Sequence, residues 1–124
     1  MKPQEKFSLK KRLESFRYAF EGVWILIKEE HNARIHIAGA ITAVTLGFYL
    51  NITQTEWFII VLCIGLVFSA EAFNSALEKL ADKVSSDYDL LIKKCKDLAS
   101  AGVLFISIAA LIVGLMIFIP KLEY

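Results

Sequence analysis

The stretch WFIIVLCIGLVFSAEAFNSALEKLAD, residues 57–82, decides the reading of this chain. From Trp57 to Ala70 it carries no charge; from Glu71 onward Glu71, Asn74, Ser75, Glu78 and Asp82 recur with no glycine or proline to break the run. At about 100° per residue these five fall within roughly 100° of arc, with Phe73, Leu77 and Leu80 on the other sides. The pattern predicts one helix, apolar all round at its start and amphipathic at its end. A helix apolar on every side is buried in a large core or crosses a membrane.

Composition favours the membrane. Of the 124 residues, 56% are hydrophobic, above the roughly 45–50% usual in soluble domains. The charged residues, 22% of the chain, are blocked rather than spread: residues 1–34 and 78–97 hold nearly all of them. Outward from the central helix, residues 35–52 form an uncharged first span and 98–119 a full-length last span that Pro120 is expected to stop. The polar run Asn51-Ile52-Thr53-Gln54-Thr55-Glu56 reads as a tight turn, and residues 83–97, with Ser85-Ser86-Asp87-Tyr88-Asp89, as a short connection. Upstream, Leu9, Leu13, Phe16, Phe20, Val23, Trp24 and Ile27 keep helical spacing, with Lys10, Glu14, Arg17, Glu21 and Lys28 on a flank. Residues 9–29 are therefore expected to be an amphipathic helix at the membrane–water interface. The predicted architecture is all-α: a single membrane domain, 1–124, with an interfacial helix and three transmembrane helices over 35–52, 57–82 and 98–119.

Orientation follows from the cations. Lys2, Lys6, Lys10, Lys11, Arg12, Arg17, Lys28 and Arg34 precede the first span; Lys79, Lys83, Lys93, Lys94 and Lys96 surround the second connection; the 51–56 turn has none and the tail has Lys121 alone. Positive residues concentrate on the cytoplasmic side. A multi-pass protein of the bacterial cytoplasmic membrane is expected, N-terminus inside and C-terminus outside. No cleavable leader is apparent, and a disulfide between Cys63 and Cys95 is not expected. Nor is a nucleic-acid partner.

This topology brings Glu29-Glu30, the polar end of the central helix, and Lys96-Asp97 to one membrane face. A carboxylate at the membrane edge is costly and is normally directed at a cavity or partner. Two carboxylates from different helices, Glu30 and Glu78, can hold Mg²⁺ together with phosphates and water. Lys96 can neutralise phosphate charge, and the deeper Glu71 can accept a proton from a hydroxyl at the interface. These parts suffice for phosphoryl transfer, where positioning and charge stabilisation dominate. No GxxxxGK[ST] or GxGxxG is present, so a nucleotide would be held by metal and side chains.

The segment Glu71-Ala-Phe-Asn74-Ser75-Ala76-Leu77-Glu78-Lys-Leu-Ala-Asp82 resembles the signature of the prokaryotic diacylglycerol kinase/undecaprenol kinase family, E-x-x-N-[ST]-A-[IL]-E-x-x-x-D. Lys96-Asp97 follow at the family's distance, Glu30-His-Asn-Ala-Arg34 resembles its segment before the first span, and Tyr18 and Gly22 also align. The resemblance implies a homotrimer that phosphorylates the hydroxyl of a membrane lipid alcohol with MgATP, at sites shared between subunits. It implies Glu71 as catalytic base and lipid contact, Glu30 and Glu78 as metal ligands, and Asn74, Lys96 and Asp97 as nucleotide and catalytic support. Tyr18, Lys11 or its neighbour Arg12, Asp87 and Tyr88 are implied as further nucleotide contacts and Ser100 as a lipid contact. Asp89 departs from the family pattern in the connection.

The remaining residues receive plainer readings. His31 and His36 lie five apart with no third ligand beside them and are not expected to bind a metal. Trp57 is expected to anchor the outer interface, Ser75 to pack between helices, and Gly39, Gly47, Gly65, Gly102 and Gly114 to permit close helix contacts. A proton-coupled transporter subunit, or another non-enzymatic helical membrane protein, is the rival reading, with Glu71 as carrier. It requires polar residues continuing to the far face, and 57–68 and 103–119 are almost wholly apolar.

Overall fold

A computed structural model describes residues 6–123 of the chain; Lys2, counted above among the N-terminal cations, lies outside the described residues. The structure is all-α, with four helices: α1 (Leu9–Glu29), α2 (His31–Tyr49), α3 (Gln54–Val84) and α4 (Leu90–Leu122). Among the described residues, α3 and α4 are long and apolar enough to cross a membrane. The shorter α2, 19 residues, opens on the polar His31, Asn32 and Arg34.

Each boundary has a local cause. Ser8 caps α1, its hydroxyl accepting from the Lys11 amide at 3.4 Å. The chain then breaks for one residue, Glu30, whose backbone is extended (φ −108°, ψ 115°). Arg34 closes the break. Its Nε donates to the Ile27 carbonyl at 3.0 Å and its Nη2 to the Lys28 carbonyl at 2.7 Å, satisfying acceptors that the end of α1 leaves open.

At the other end of α2, Asn51 takes a left-handed conformation (φ 51°), which Asn tolerates better than most residues, and the Ile52 amide donates to the Gly47 carbonyl at 3.2 Å. Thr53 and Glu56 then form a reciprocal capping box that starts α3 (Thr53 N to Glu56 Oε1 2.9 Å, Glu56 N to Thr53 Oγ1 3.2 Å). The helix that holds most of the expected 35–52 segment therefore starts at His31 and ends at Tyr49, and Ile52 lies beyond its end.

Two further expectations are corrected. Residues 90–97 are helical, not part of the connection, because Asp89 caps α4: its carboxylate accepts from the amides of Leu91 (2.9 Å) and Ile92 (3.1 Å). The residue that departs from the family pattern thus has a structural role. Pro120 does not stop α4, which runs on to Leu122. A proline forfeits one bond to the preceding turn; here the last turn is tied down by an ion pair between Lys121 and Glu56 at 3.1 Å.

The packing is polarised along the helices. Ile52, Ile60, Ile117 and Phe118 form a buried cluster with Leu46, Trp57 and Val113 against it, at the end where α2 gives way to α3 and α4 finishes. In a bilayer such contacts act through close packing rather than through exclusion of water. Trp57 is half-buried here and packs at a tilt against Phe48 (ring centroids 4.8 Å apart, planes at 51°). Of the five glycines expected to permit close approach, Gly47 does so within the chain. A Cβ there would meet the Trp57 ring at 2.6 Å; the other four have nothing within 4 Å. Gly47→Ala is expected to destabilise the folded protein by about 1–3 kcal/mol, as overpacking does. Thermal unfolding in detergent checks this, and adding Trp57→Leu should recover part of the loss.

Candidate functional site

The buried face of α3 consists of Ile60, Val67, Glu71, Asn74, Ser75 and Ala81. It is one stripe, apolar through Val67, polar from Glu71 to Ser75 and closed by Ala81. Glu71 is its deepest member, 1% exposed, although it carries a full carboxylate. Its Oε2 lies 3.6 Å from Nε2 of His36 on α2, and among the described residues it has no hydrogen-bond partner. Asn74 Oδ1, one turn on, is likewise buried without a partner among the described residues. Burying such groups costs free energy unless something pairs with them.

Glu30 enters from the α1–α2 joint. Its Oε1 accepts from the Ser75 hydroxyl at 2.8 Å and lies 3.9 Å from Lys79 Nζ, which also reaches Glu29 at 3.5 Å. Glu30 and the half-buried Glu78 both act electrostatically on Glu71. Glu30, from the joint that Arg34 holds in place, and Glu78, from α3 itself, thus lie within electrostatic reach of Glu71. Among the described residues no three His, Cys, Asp or Glu side chains converge as a ready-made metal cage. A cation here would draw part of its shell from other ligands.

Lys96 sits one helix away on α4 and is hydrogen-bonded to Asp82 of α3, joining the polar ends of these two helices. Asp97 is paired with Lys93 at 2.6 Å along α4. The remaining sequence-derived candidates lie apart in the single chain. Lys11 and Tyr18 are on the exposed length of α1, Asp87 and Tyr88 on the exposed 85–89 connection, and Ser100 on an exposed side of α4. Between α1, α2 and α3 runs a groove of ≈ 660 Å³ whose lining includes Gly22, Leu26, Phe68, Ala72, Ser75 and Lys79. Lys11 and Tyr18 lie within about 40° of Gly22 around α1, so they flank the groove's face of that helix.

Two residues of the cluster were given plainer readings from sequence. Ser75 is a hydrogen-bond donor to Glu30, and His36 a neighbour of Glu71. For Ser75 the signal was its place on the polar stripe. For His36 it was visible only once α2 and α3 were laid side by side.

The prokaryotic diacylglycerol kinase family matches residues 17–118 of the chain. The chain belongs to that family. It is 36% identical over 114 residues to an undecaprenol kinase of Bacillus subtilis (strain 168), covering 92% of this chain and 93% of that protein. It is 36% identical over 111 residues to a diacylglycerol kinase of Synechocystis, covering 89% of this chain and 63% of that protein. It is 28% identical over 95 residues to a diacylglycerol kinase of Escherichia coli (strain K12), covering 77% and 78%. As a member of the prokaryotic diacylglycerol kinase family the protein is a membrane lipid kinase, with ATP as phosphate donor. The transporter reading is set aside.

Ser75→Ala leaves Glu30 without its hydroxyl donor while removing little volume. Loss of one hydrogen bond to a charged group is expected to raise the KM for ATP by about tenfold with kcat less affected, measured by steady-state kinetics on the purified protein.

Proposed function

We propose that the protein transfers the ATP γ-phosphate to the primary hydroxyl of undecaprenol or diacylglycerol at the cytoplasmic face of the membrane, with undecaprenol the preferred acceptor. The near end-to-end similarity to an undecaprenol kinase supports that preference. The observation that carries the mechanism is the buried Glu71 carboxylate, 1% exposed, beside Glu30, Ser75 and Asn74. Glu71 accepts the proton of the lipid hydroxyl as the oxygen attacks the γ-phosphorus. The bond from that phosphorus to the bridging oxygen breaks and ADP leaves. A base placed within reach of the hydroxyl is worth about 10²–10⁴-fold in rate.

Mg²⁺ fits the donor set: two carboxylates, Glu30 and Glu78, stand near a third negative charge, and magnesium takes one or two protein carboxylates and completes its shell with phosphate oxygens and water. Held there it would neutralise charge on the triphosphate. Ser75 keeps Glu30 aimed inward, and Asn74 offers an amide to the nucleotide or the acceptor. Lys96, steered by Asp82, and Asp97 support the phosphates. Lys11, Tyr18, Asp87 and Tyr88 contact the nucleotide, and Ser100 the lipid, from neighbouring copies of the chain.

A homotrimer is the assembly we propose. It is supported by the dispersal of those residues in one chain, by the open faces at Gly39, Gly65, Gly102 and Gly114, and by the largely exposed apolar surface of α4. In it α2, α3 and α4 span the bilayer and α1 lies in the interface, N-terminus inside and C-terminus outside. The exposed Leu9, Leu13, Phe16, Phe20 and Trp24 of α1 suit that placement.

The test is direct. Purified protein is given labelled ATP and Mg²⁺ with undecaprenol or diacylglycerol in parallel. Labelled lipid should form in both, faster with undecaprenol, and chelation of the metal should stop it. Glu71→Gln should cut turnover by about 10²–10⁴-fold without unfolding the protein. Near-normal turnover by that variant would remove Glu71 from the mechanism, and labelling of neither alcohol would remove the proposed acceptors.

A further inference from the structure

The mechanism uses one histidine nowhere, yet His36 is held against its centre. Its side chain is 19% exposed and lies on α2 between two residues of one α3 turn. Phe68 meets the ring edge-on (centroids 6.4 Å apart, planes at 80°), and Nε2 stands 3.6 Å from Glu71 Oε2. That oxygen is buried without a hydrogen-bond partner among the described residues. Among the described residues no hydrogen bond fixes the plane of this carboxylate, so either oxygen can turn away from an incoming hydroxyl.

We infer that His36 is a positioning residue for Glu71, donating from Nε2–H to Oε2 and leaving Oε1 for the lipid hydroxyl. The inference rests on Glu71 being the proton acceptor. The contact is longer than a hydrogen bond in the resting chain and closes when the acceptor alcohol is in place; catalytic hydrogen bonds commonly tighten on assembly of the reacting complex. The edge-on Phe68 restricts the imidazole plane, so the donor direction is fixed by packing rather than by charge. No proton passes to the ring in this role. A base whose second oxygen is held by a ring nitrogen on a neighbouring helix keeps its orientation through the reaction.

The experiment compares His36→Ala, His36→Phe and His36→Gln in the full-length protein, alone and with Glu71→Gln. His36→Ala and His36→Phe should lower kcat on the order of tenfold or more, with the KM values for MgATP and the lipid alcohol within about twofold. His36→Gln, whose amide also donates, should keep most of the activity. In the Glu71→Gln background, His36→Ala should cost nothing further, because the group it orients has lost its function. Wild-type kcat in His36→Phe, or an equal further loss in the Glu71→Gln background, would overturn the inference while leaving Glu71 as the base. High activity in Glu71→Gln itself would overturn both. Should His36→Ala not fold, the contrast between His36→Gln and His36→Phe decides.

Discussion

The structure is organised by the problem of keeping a carboxylate inside a membrane helix. Glu71 has 1% of its surface exposed, and the free-energy cost of a lone buried charge is several kcal/mol. Polar groups gather around it. His36 approaches from α2, Asn74 and Ser75 follow on the same stripe, and Glu30 is drawn in by the Ser75 hydroxyl at 2.8 Å. The surroundings are polar but not neutral: Glu30 and Glu78 add negative charge where a soluble core would place a lysine or arginine. That surplus of negative charge suits a site completed by a cation and its phosphates.

The two ends of the bundle divide the labour. The end around Ile52, Ile60, Ile117 and Phe118 is apolar and clamped by the capping box of Thr53 and Glu56 and by Lys121. It holds α2, α3 and α4 in register. The opposite end has few apolar contacts and many polar ones, joined by Ser75–Glu30, Lys79–Glu29 and Lys96–Asp82. The two ion pairs among these are exposed and contribute little stability each. Their value here is alignment, on a frame that the apolar end has already made rigid.

The contrast between the two long helices and the rest explains what the sequence could disclose. The five-residue stripe from Glu71 to Asp82 was legible because a helix converts spacing into direction, and the structure buries three of its members together. The family motif made the kinase chemistry legible as well. Ends were harder. Nothing in the pattern of 83–97 distinguished a loop from a helix start until Asp89 could be seen accepting from two amides. Pro120 looked like a stop because the rule concerns the proline's own missing amide, and it takes no account of a tether from the next residue to another helix.

On α1 most of the apolar stripe is exposed, and the residue buried against the protein is Leu26, about 120° around the helix from Phe20. Amphipathic spacing names an apolar side without saying whether protein or lipid will cover it. His36 was invisible for a related reason: its partner belongs to another helix, and one-dimensional spacing carries no register between helices.

The joint at Glu30 has a mechanical meaning. It is a single extended residue between two stiff rods, and Arg34 bolts the end of the first rod to the start of the second through two carbonyls. The residue at the fulcrum is the one whose carboxylate reaches Ser75. The angle between α1 and α2 and the position of that carboxylate are therefore set by the same residue.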